Sequence, residues 1–231
     1  MQFVDKAVCL CLDKRREEWE DLQNHCESKG LKFDRFLVGE GDIFPESEYD
    51  HLDIKDVPPH WGYGNPTGRI HHFNAFLSHK KMILKSKEEG LNNVLFLEDD
   101  AYFTNRYDEV VESLSSELNS LDFDFLFLGW WIGYESDDYN QNVEKEYNSN
   151  KRTGIERVRN AHFTCGGLHG VVINQRMFDP LLQLHPIGPI DSQLNRFFHP
   201  FVNSYYVFPK IIHDKGIFSH CEQSVTPRLK L

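Results

Sequence analysis

The chain has 231 residues, 40% of them hydrophobic and 26% charged, and a formal net charge of −11. That length holds enough apolar material for one large domain with a substantial core. The acidic balance argues against nucleic acid or an anionic membrane surface as the main partner, since either calls for a basic face. No apolar run approaches a membrane span. Five cysteines (Cys9, Cys11, Cys26, Cys165 and Cys221) are odd in number and widely spread, which suits buried thiols in a reducing compartment better than a disulfide framework. Asp5 and Lys6 interrupt anything resembling a signal segment. The expected location is therefore the cytoplasm, unless the chain is a piece of a longer secretory-pathway protein.

In chain order, strand and helix patterns alternate. Ala7 to Leu12 is a short apolar run closed by Asp13-Lys14-Arg15-Arg16, and Trp19, Leu22 and Cys26 then fall at helical spacing before Gly30. Lys32 to Val38 reads as a second strand. It ends at Gly39-Glu40-Gly41, a turn able to approach a ligand closely. Pro45 to Pro66 is irregular and rich in His, Pro and Trp, too long for a simple connection. A helix is expected after Thr67-Gly68-Arg69, with Phe73, Phe76, Leu77, Ile83 and Leu84 on one face and Gly90 past its end. Ser78, His79 and Lys80 lie within it. Taken singly, His71, His72 and His79 read as surface or half-buried histidines.

Asn93-Val94-Leu95-Phe96-Leu97 then runs without polar interruption into Glu98-Asp99-Asp100. The run reads as a strand buried on both faces, of the kind found in parallel sheets. Adjacent carboxylates repel one another unless a cation sits among them, and a hard divalent ion such as Mn²⁺ or Mg²⁺ is the simplest remedy. The plain structural alternative is an acidic turn in which Asp99 or Asp100 starts a helix. Next, a helix marked by Val110, Leu114, Leu118 and Leu121 is expected, and then a strand from Asp122 to Leu128.

Glu135 to Gly154 has no apolar period and reads as a mobile loop over about 135–154, placed to act as a lid. A glycine-laden stretch from Thr164 leads into a strand ending at Ile173, and a helix begins after Asn174. Pro189-Ile190-Asp191 opens a short helix with Asp191 as its expected N-cap, a position that would keep it ionised. Tyr205 to Ile212 is strand-like and leads to His213 and Ser219-His220-Cys221. Strand–helix alternation of this kind calls for an α/β fold with a largely parallel sheet flanked by helices.

Four blocks in order carry a resemblance: Leu12-Asp13-Lys14-Arg15-Arg16 with Trp19; Gly68 ahead of Leu77-Ser78-His79; Leu97-Glu98-Asp99-Asp100; and Pro189-x-Asp191-x-x-Leu194. Together they resemble glycosyltransferase family 25, which includes lipopolysaccharide-type and collagen galactosyltransferases. The resemblance runs from about Val8 to Ser219. It implies a single GT-A domain over 1–231 with a Rossmann-like sheet, a nucleotide-sugar donor of the UDP type, and Mn²⁺-supported hexose transfer to a hydroxyl on a glycan or protein, with inversion. It also implies that Gly39, Ser78, His79 and Asp99 belong to the donor pocket. Two places depart from the family pattern. Gly68 to Phe76 stands where a glycine-rich run is usual, and Ser219-His220 stands where a Ser-Asp pair is usual.

The chemistry of the residue types agrees. A diphosphate leaves only if the charge gathering on its oxygens is neutralised, which a carboxylate-held metal can do. Asp100 is the expected direct ligand, and Glu98 contacts the metal, a metal-bound water or the ribose. His220 or His213 completes the shell from a distant segment. Asp13 faces the uracil or ribose, a role compatible with capping the helix that follows. Arg15, Arg16 and Lys80 are candidates for the diphosphate, with a solvated charge cluster as the alternative. Asp191 is the expected general base. Two other classes compete. A two-metal phosphoesterase would need a second acid cluster at a strand end, where Asp122 and Asp124 stand at the start of theirs; an inactive sugar-binding domain would keep Trp61, Trp130 and Trp131 as platforms without needing Asp191.

Overall fold

The computed structural model describes residues 3–12, 16–38, 66–132, 153–158, 165–185, 189–215, 218–219 and 224–225. In chain order these give β1 (Lys6–Leu12), α1 (Arg16–Ser28), β2 (Phe33–Val38), α2 (Pro66–Glu88), β3 (Asn93–Glu98), β4 (Ala101–Phe103), α3 (Tyr107–Ser113), α4 (Ser115–Ser120), β5 (Phe125–Phe127) and β6 (Trp131–Ile132). There follow β7 (Gly154–Arg157), β8 (Cys165–Gly166), β9 (Val171–Asn174), a 3₁₀ turn (Gln175–Met177), α5 (Phe178–Leu182) and α6 (Ile190–Phe197). The last strands are β10 (Ser204–Phe208), β11 (Ile212–Asp214), β12 (Phe218–Ser219) and β13 (Ser224–Val225).

Seven strands form the main sheet in the order β2-β1-β3-β9-β5-β10-β7. Five run one way; β9 lies antiparallel between β3 and β5, and β7 antiparallel on β10. The expected α/β class and mostly parallel sheet are therefore present, with two reversed strands that the sequence did not betray. Gly154, the last residue of the polar segment expected to be a loop, opens β7 at the sheet edge. Residues 135–152 of that segment lie outside the described residues.

Period-two alternation divides the core into two layers. Val94, Phe96, Phe125 and Phe127 face one side, with Phe76, Met82 and Ile83 of α2, Phe178 and Leu181 of α5, and Leu194 of α6. Leu95, Leu97, Leu126 and Leu128 face the other, with Trp19, Leu22 and Cys26 of α1, Val110 of α3 and Leu118 of α4. Cys9, Cys11 and Cys26 are buried free thiols, as expected.

Four local expectations need correcting. Helix α2 begins at Pro66, so Thr67-Gly68-Arg69 lies inside it; proline at the first helical position has its φ already set for the helix and loses no hydrogen bond there. Leu84 is 44% exposed rather than on the buried face. No helix starts at Asp99 or Asp100, because Ala101–Phe103 is a strand paired with β11. The helix expected from Val110 to Leu121 is two short ones, broken at Leu114, whose backbone leaves the helical path.

Candidate functional site

Alternation along β3 decides where the acids point. Glu98 continues the Val94–Phe96 face towards α2, and Asp99, the next residue, turns to the α1 side, where its Oδ2 accepts a hydrogen bond from Leu12 N at 2.8 Å. Asp99 is 4% exposed, so its carboxylate ties the end of β1 to the end of β3. Asp100 is half-buried, and its carbonyl accepts from Lys215 N at 2.7 Å. With Asp214 opposite Ala101 and His213 opposite Tyr102, the β4–β11 ribbon holds the acid turn from outside the main sheet.

Glu98 is where the segments meet. Its carboxyl is pushed well above its usual range by burial, then by the negative charges of Asp100, Asp99, Asp191 and Asp214. The side chain nonetheless keeps 39% of its surface open, so this is a crowded cleft and not a sealed core. Asp191 comes from α6, and His79 from α2 brings Nε2 to 3.9 Å from Glu98 Oε1. The expected blocks containing His79, Glu98–Asp100 and Asp191 thus converge at the carboxyl end of β3, where ligand sites of open α/β sheets lie.

His79 is not the half-buried histidine expected from sequence. It is 3% exposed, and Nδ1 donates to the carbonyl of Ala75 at 2.7 Å. Burial holds its pKa below the usual value, against the raising effects of the Ala75 bond and of Asp191. Ser78 is buried one turn on from Asn74, whose carbonyl takes its hydroxyl at 2.6 Å, a bond that satisfies the hydroxyl within the helix. Lys80 is buried too, and its Nζ donates to the carbonyl of Leu184, just past the end of α5, at 3.0 Å. Arg16, at the start of α1, makes an exposed ion pair with Glu20 at 2.7 Å.

Asp191 is not an N-cap. That position is Pro189, and Asp191 sits in the first turn with Oδ1 accepting from Ser192 N at 2.8 Å. Proline holds the extended backbone that precedes the helix, which moves the start of α6 two residues earlier than the Asp pattern suggested. Trp130 is no open platform: it is 2% exposed, donates from Nε1 to Val207 O at 2.8 Å and packs edge-on against Tyr206. Asp13, Arg15, Gly39, Trp61 and His220 lie outside the described residues, as does the side chain of Trp131.

Among the described residues, no three His, Cys, Asp or Glu side chains form a ready metal cluster. The acids nevertheless fit a hard cation, since carboxylate oxygens are its preferred donors and their mutual repulsion is what it would relieve. Sequence reasoning missed Asp214, which adds negative charge at Glu98; the signal was its place at the end of the apolar Tyr205–Ile212 run. At the opposite end of the strands, ahead of β5, Asp122 and Asp124 pair with Arg176 at 2.8 and 3.1 Å. They are salt-bridged away from Glu98–Asp100, so they supply no second acid cluster for a two-metal phosphoesterase.

No helix among the described residues is long and apolar enough to cross a membrane. A curated relative, a glycosyltransferase 25 family member of Drosophila pseudoobscura pseudoobscura, is 25% identical over 134 residues, covering 54% of this chain and 20% of the relative. The chain thus spans about a fifth of that relative's length. Two solved structures are similar at low identity. A197 from STIV matches at 9% identity and TM-score 0.42, over 87% of this chain and 81% of that one. A glycosyltransferase involved in glycosylation of the major capsid of PBCV-1 matches at 11% and 0.43, over 95% and 90%. The family model described as glycosyltransferase family 25 (LPS biosynthesis protein) matches residues 11–186, which takes in His79 and all three acids and stops short of Asp191. The chain belongs to glycosyltransferase family 25.

Proposed function

We propose that this chain transfers a hexose from a nucleotide-diphosphate sugar of the uridine type to a hydroxyl of a glycan or protein acceptor, with inversion and with support from a divalent metal. The observation that carries the reading is the convergence of Glu98, Asp100, Asp191 and His79, from three separate segments, around the part-exposed Glu98 carboxyl at the carboxyl end of β3.

Glu98 and Asp100 are the residues that would hold Mn²⁺ or Mg²⁺, together with His220 or His213, and the ion's contribution is to neutralise charge on the departing diphosphate. Asp191 of α6, whose charge is felt at Glu98 and His79, is the base in this reading, its carboxylate taking the proton of the acceptor hydroxyl. The acceptor oxygen attacks the anomeric carbon from the side opposite the diphosphate. The bond from that carbon to the phosphate oxygen breaks, and its electron pair stays with the leaving group. Asp99 has a supporting part: its bond to Leu12 N fixes the turn that presents its two neighbours.

Incubation with a panel of nucleotide sugars and Mn²⁺, with release of free nucleoside diphosphate followed over time, tests the reading. Release that depends on both metal and a hydroxyl acceptor is expected; no release with any donor would overturn it.

A further inference from the structure

His79 has a part that neither the carboxylate chemistry nor the packing uses. The ring is 3% exposed, deep in α2, yet its Nε2 makes no hydrogen bond among the described residues. The other nitrogen is committed: a carbonyl can only accept, so Nδ1 carries the hydrogen that goes to Ala75 at 2.7 Å. That bond fixes both the ring's orientation and its tautomer, and it aims Nε2 at Glu98, 3.9 Å from Oε1. A gap of that size is too long for a direct bond, and because Nε2 is itself buried, an oxygen that bonds it must enter off the line between the two atoms, from the exposed side of Glu98. Buried polar atoms are rarely left without a partner, and those that are often await a ligand.

The geometry points to His79 Nε2 as the hydrogen-bonding partner of a sugar hydroxyl in the cleft, a specificity-determining contact for the transfer proposed above, on which this inference rests. A hydroxyl suits the site because its one hydrogen can go to the unprotonated ring nitrogen, a hydrogen that the Glu98 carboxylate, an acceptor only, cannot supply. A pocket built to bond a hydroxyl also discriminates against analogues that lack it, because its own polar group is then left unpaired. The hydroxyl could belong to the donor sugar or to the acceptor sugar; both present the same chemistry.

The test compares His79→Asn with His79→Gln. Asparagine keeps an amide near Nδ1 for Ala75 and leaves the Nε2 position empty, whereas glutamine returns a polar atom to that position. With UDP-galactose and UDP-glucose as donors and Mn²⁺ present, kcat/KM for His79→Asn is expected to fall on the order of 10-fold. Glutamine should recover most of that loss. A fall in donor hydrolysis without acceptor assigns the hydroxyl to the donor sugar; a fall in transfer alone assigns it to the acceptor. The monodeoxy sugar that lacks the bonded hydroxyl should be used equally well by the parent and His79→Asn. Equal losses for both variants, or a loss that every deoxy analogue preserves, would reduce His79 to packing and overturn the inference. Should His79→Asn not fold, the Nε2 resonance of the parent, followed by ¹⁵N NMR with Mg²⁺ and UDP-galactose, must shift on binding; an unmoved signal also overturns it. A parent with no activity on any donor would instead remove the transfer reading itself.

Discussion

Three consecutive carboxylates look interchangeable in sequence, and replacing Asp99 and Asp100 one at a time should show that they are not. Asp99 is 4% exposed and its Oδ2 takes Leu12 N at 2.8 Å. In Asp99→Ala the Leu12 amide, partly buried, loses its acceptor, which costs about 2 kcal/mol. For a domain of this size roughly 2–4 °C of melting temperature goes with each kcal/mol, so a fall of about 4–8 °C is expected. Asp99→Asn keeps an oxygen for the same amide and should melt within about 2 °C of the parent while releasing nucleoside diphosphate at a comparable rate. Asp100→Ala should behave in the reverse way, melting near the parent temperature and losing Mn²⁺-dependent donor binding by calorimetry, because removing one of several crowded carboxylates relieves repulsion. The assays are thermal unfolding by circular dichroism and nucleoside diphosphate release on the same preparations. A stable Asp99→Asn protein whose transfer had dropped a hundredfold would refute the division, and so would an Asp100→Ala protein with unchanged metal and donor affinity.

Asp191→Asn retains an oxygen for Ser192 N and leaves the Pro189 cap untouched. It should therefore fold normally and transfer at least about a hundredfold more slowly, since general-base assistance is worth on the order of 10²- to 10⁴-fold; transfer within a few-fold of the parent would require another base. His199 is 1% exposed, bonded through Nδ1 to Ser204 Oγ at 2.9 Å and packed edge-on against Phe125 and Phe127. Burial pushes its pKa down to about 3 from 6.5. The unfolded chain therefore binds a proton below pH 6.5 that the native state refuses until about pH 3. Stability from this residue is intact above pH 6.5 and is lost as pH falls, by up to about 1.4 kcal/mol per pH unit. His199→Phe should flatten that part of the urea-unfolding profile between pH 6 and 4, and an unchanged slope would sink the assignment. In Gly170→Ala the new Cβ would meet Gly129 N and Ile212 Cγ2, each at 2.9 Å. One of the two is backbone that cannot easily give way, so a loss of about 1–3 kcal/mol in urea unfolding is expected.

Local chemistry alone determined a good deal. The apolar run Val94–Leu97 reads as a buried strand, Trp19, Leu22 and Cys26 fall on one face of a helix, and carboxylates at the carboxyl end of a strand stand where ligand sites of open sheets lie. Those are short-range properties, set by side-chain period and charge. Neither the reversed direction of β9 nor the edge strand Gly154–Arg157 was legible, because strand direction is fixed by which neighbour supplies the hydrogen bonds, and that neighbour is far away in sequence. The same holds within the acid triplet. Alternation throws Glu98 to one face and Asp99 to the other, but only the arrival of Leu12 beside Asp99, and of His79, Asp191 and Asp214 around Glu98, makes one carboxylate a tie and its neighbour the centre of the candidate site. Trp130 and Lys80 carry the lesson in the opposite sense: as residue types they suggested a sugar platform and a phosphate ligand, and the packing of β10 and α5 gave their polar atoms to the backbone carbonyls of Val207 and Leu184 instead.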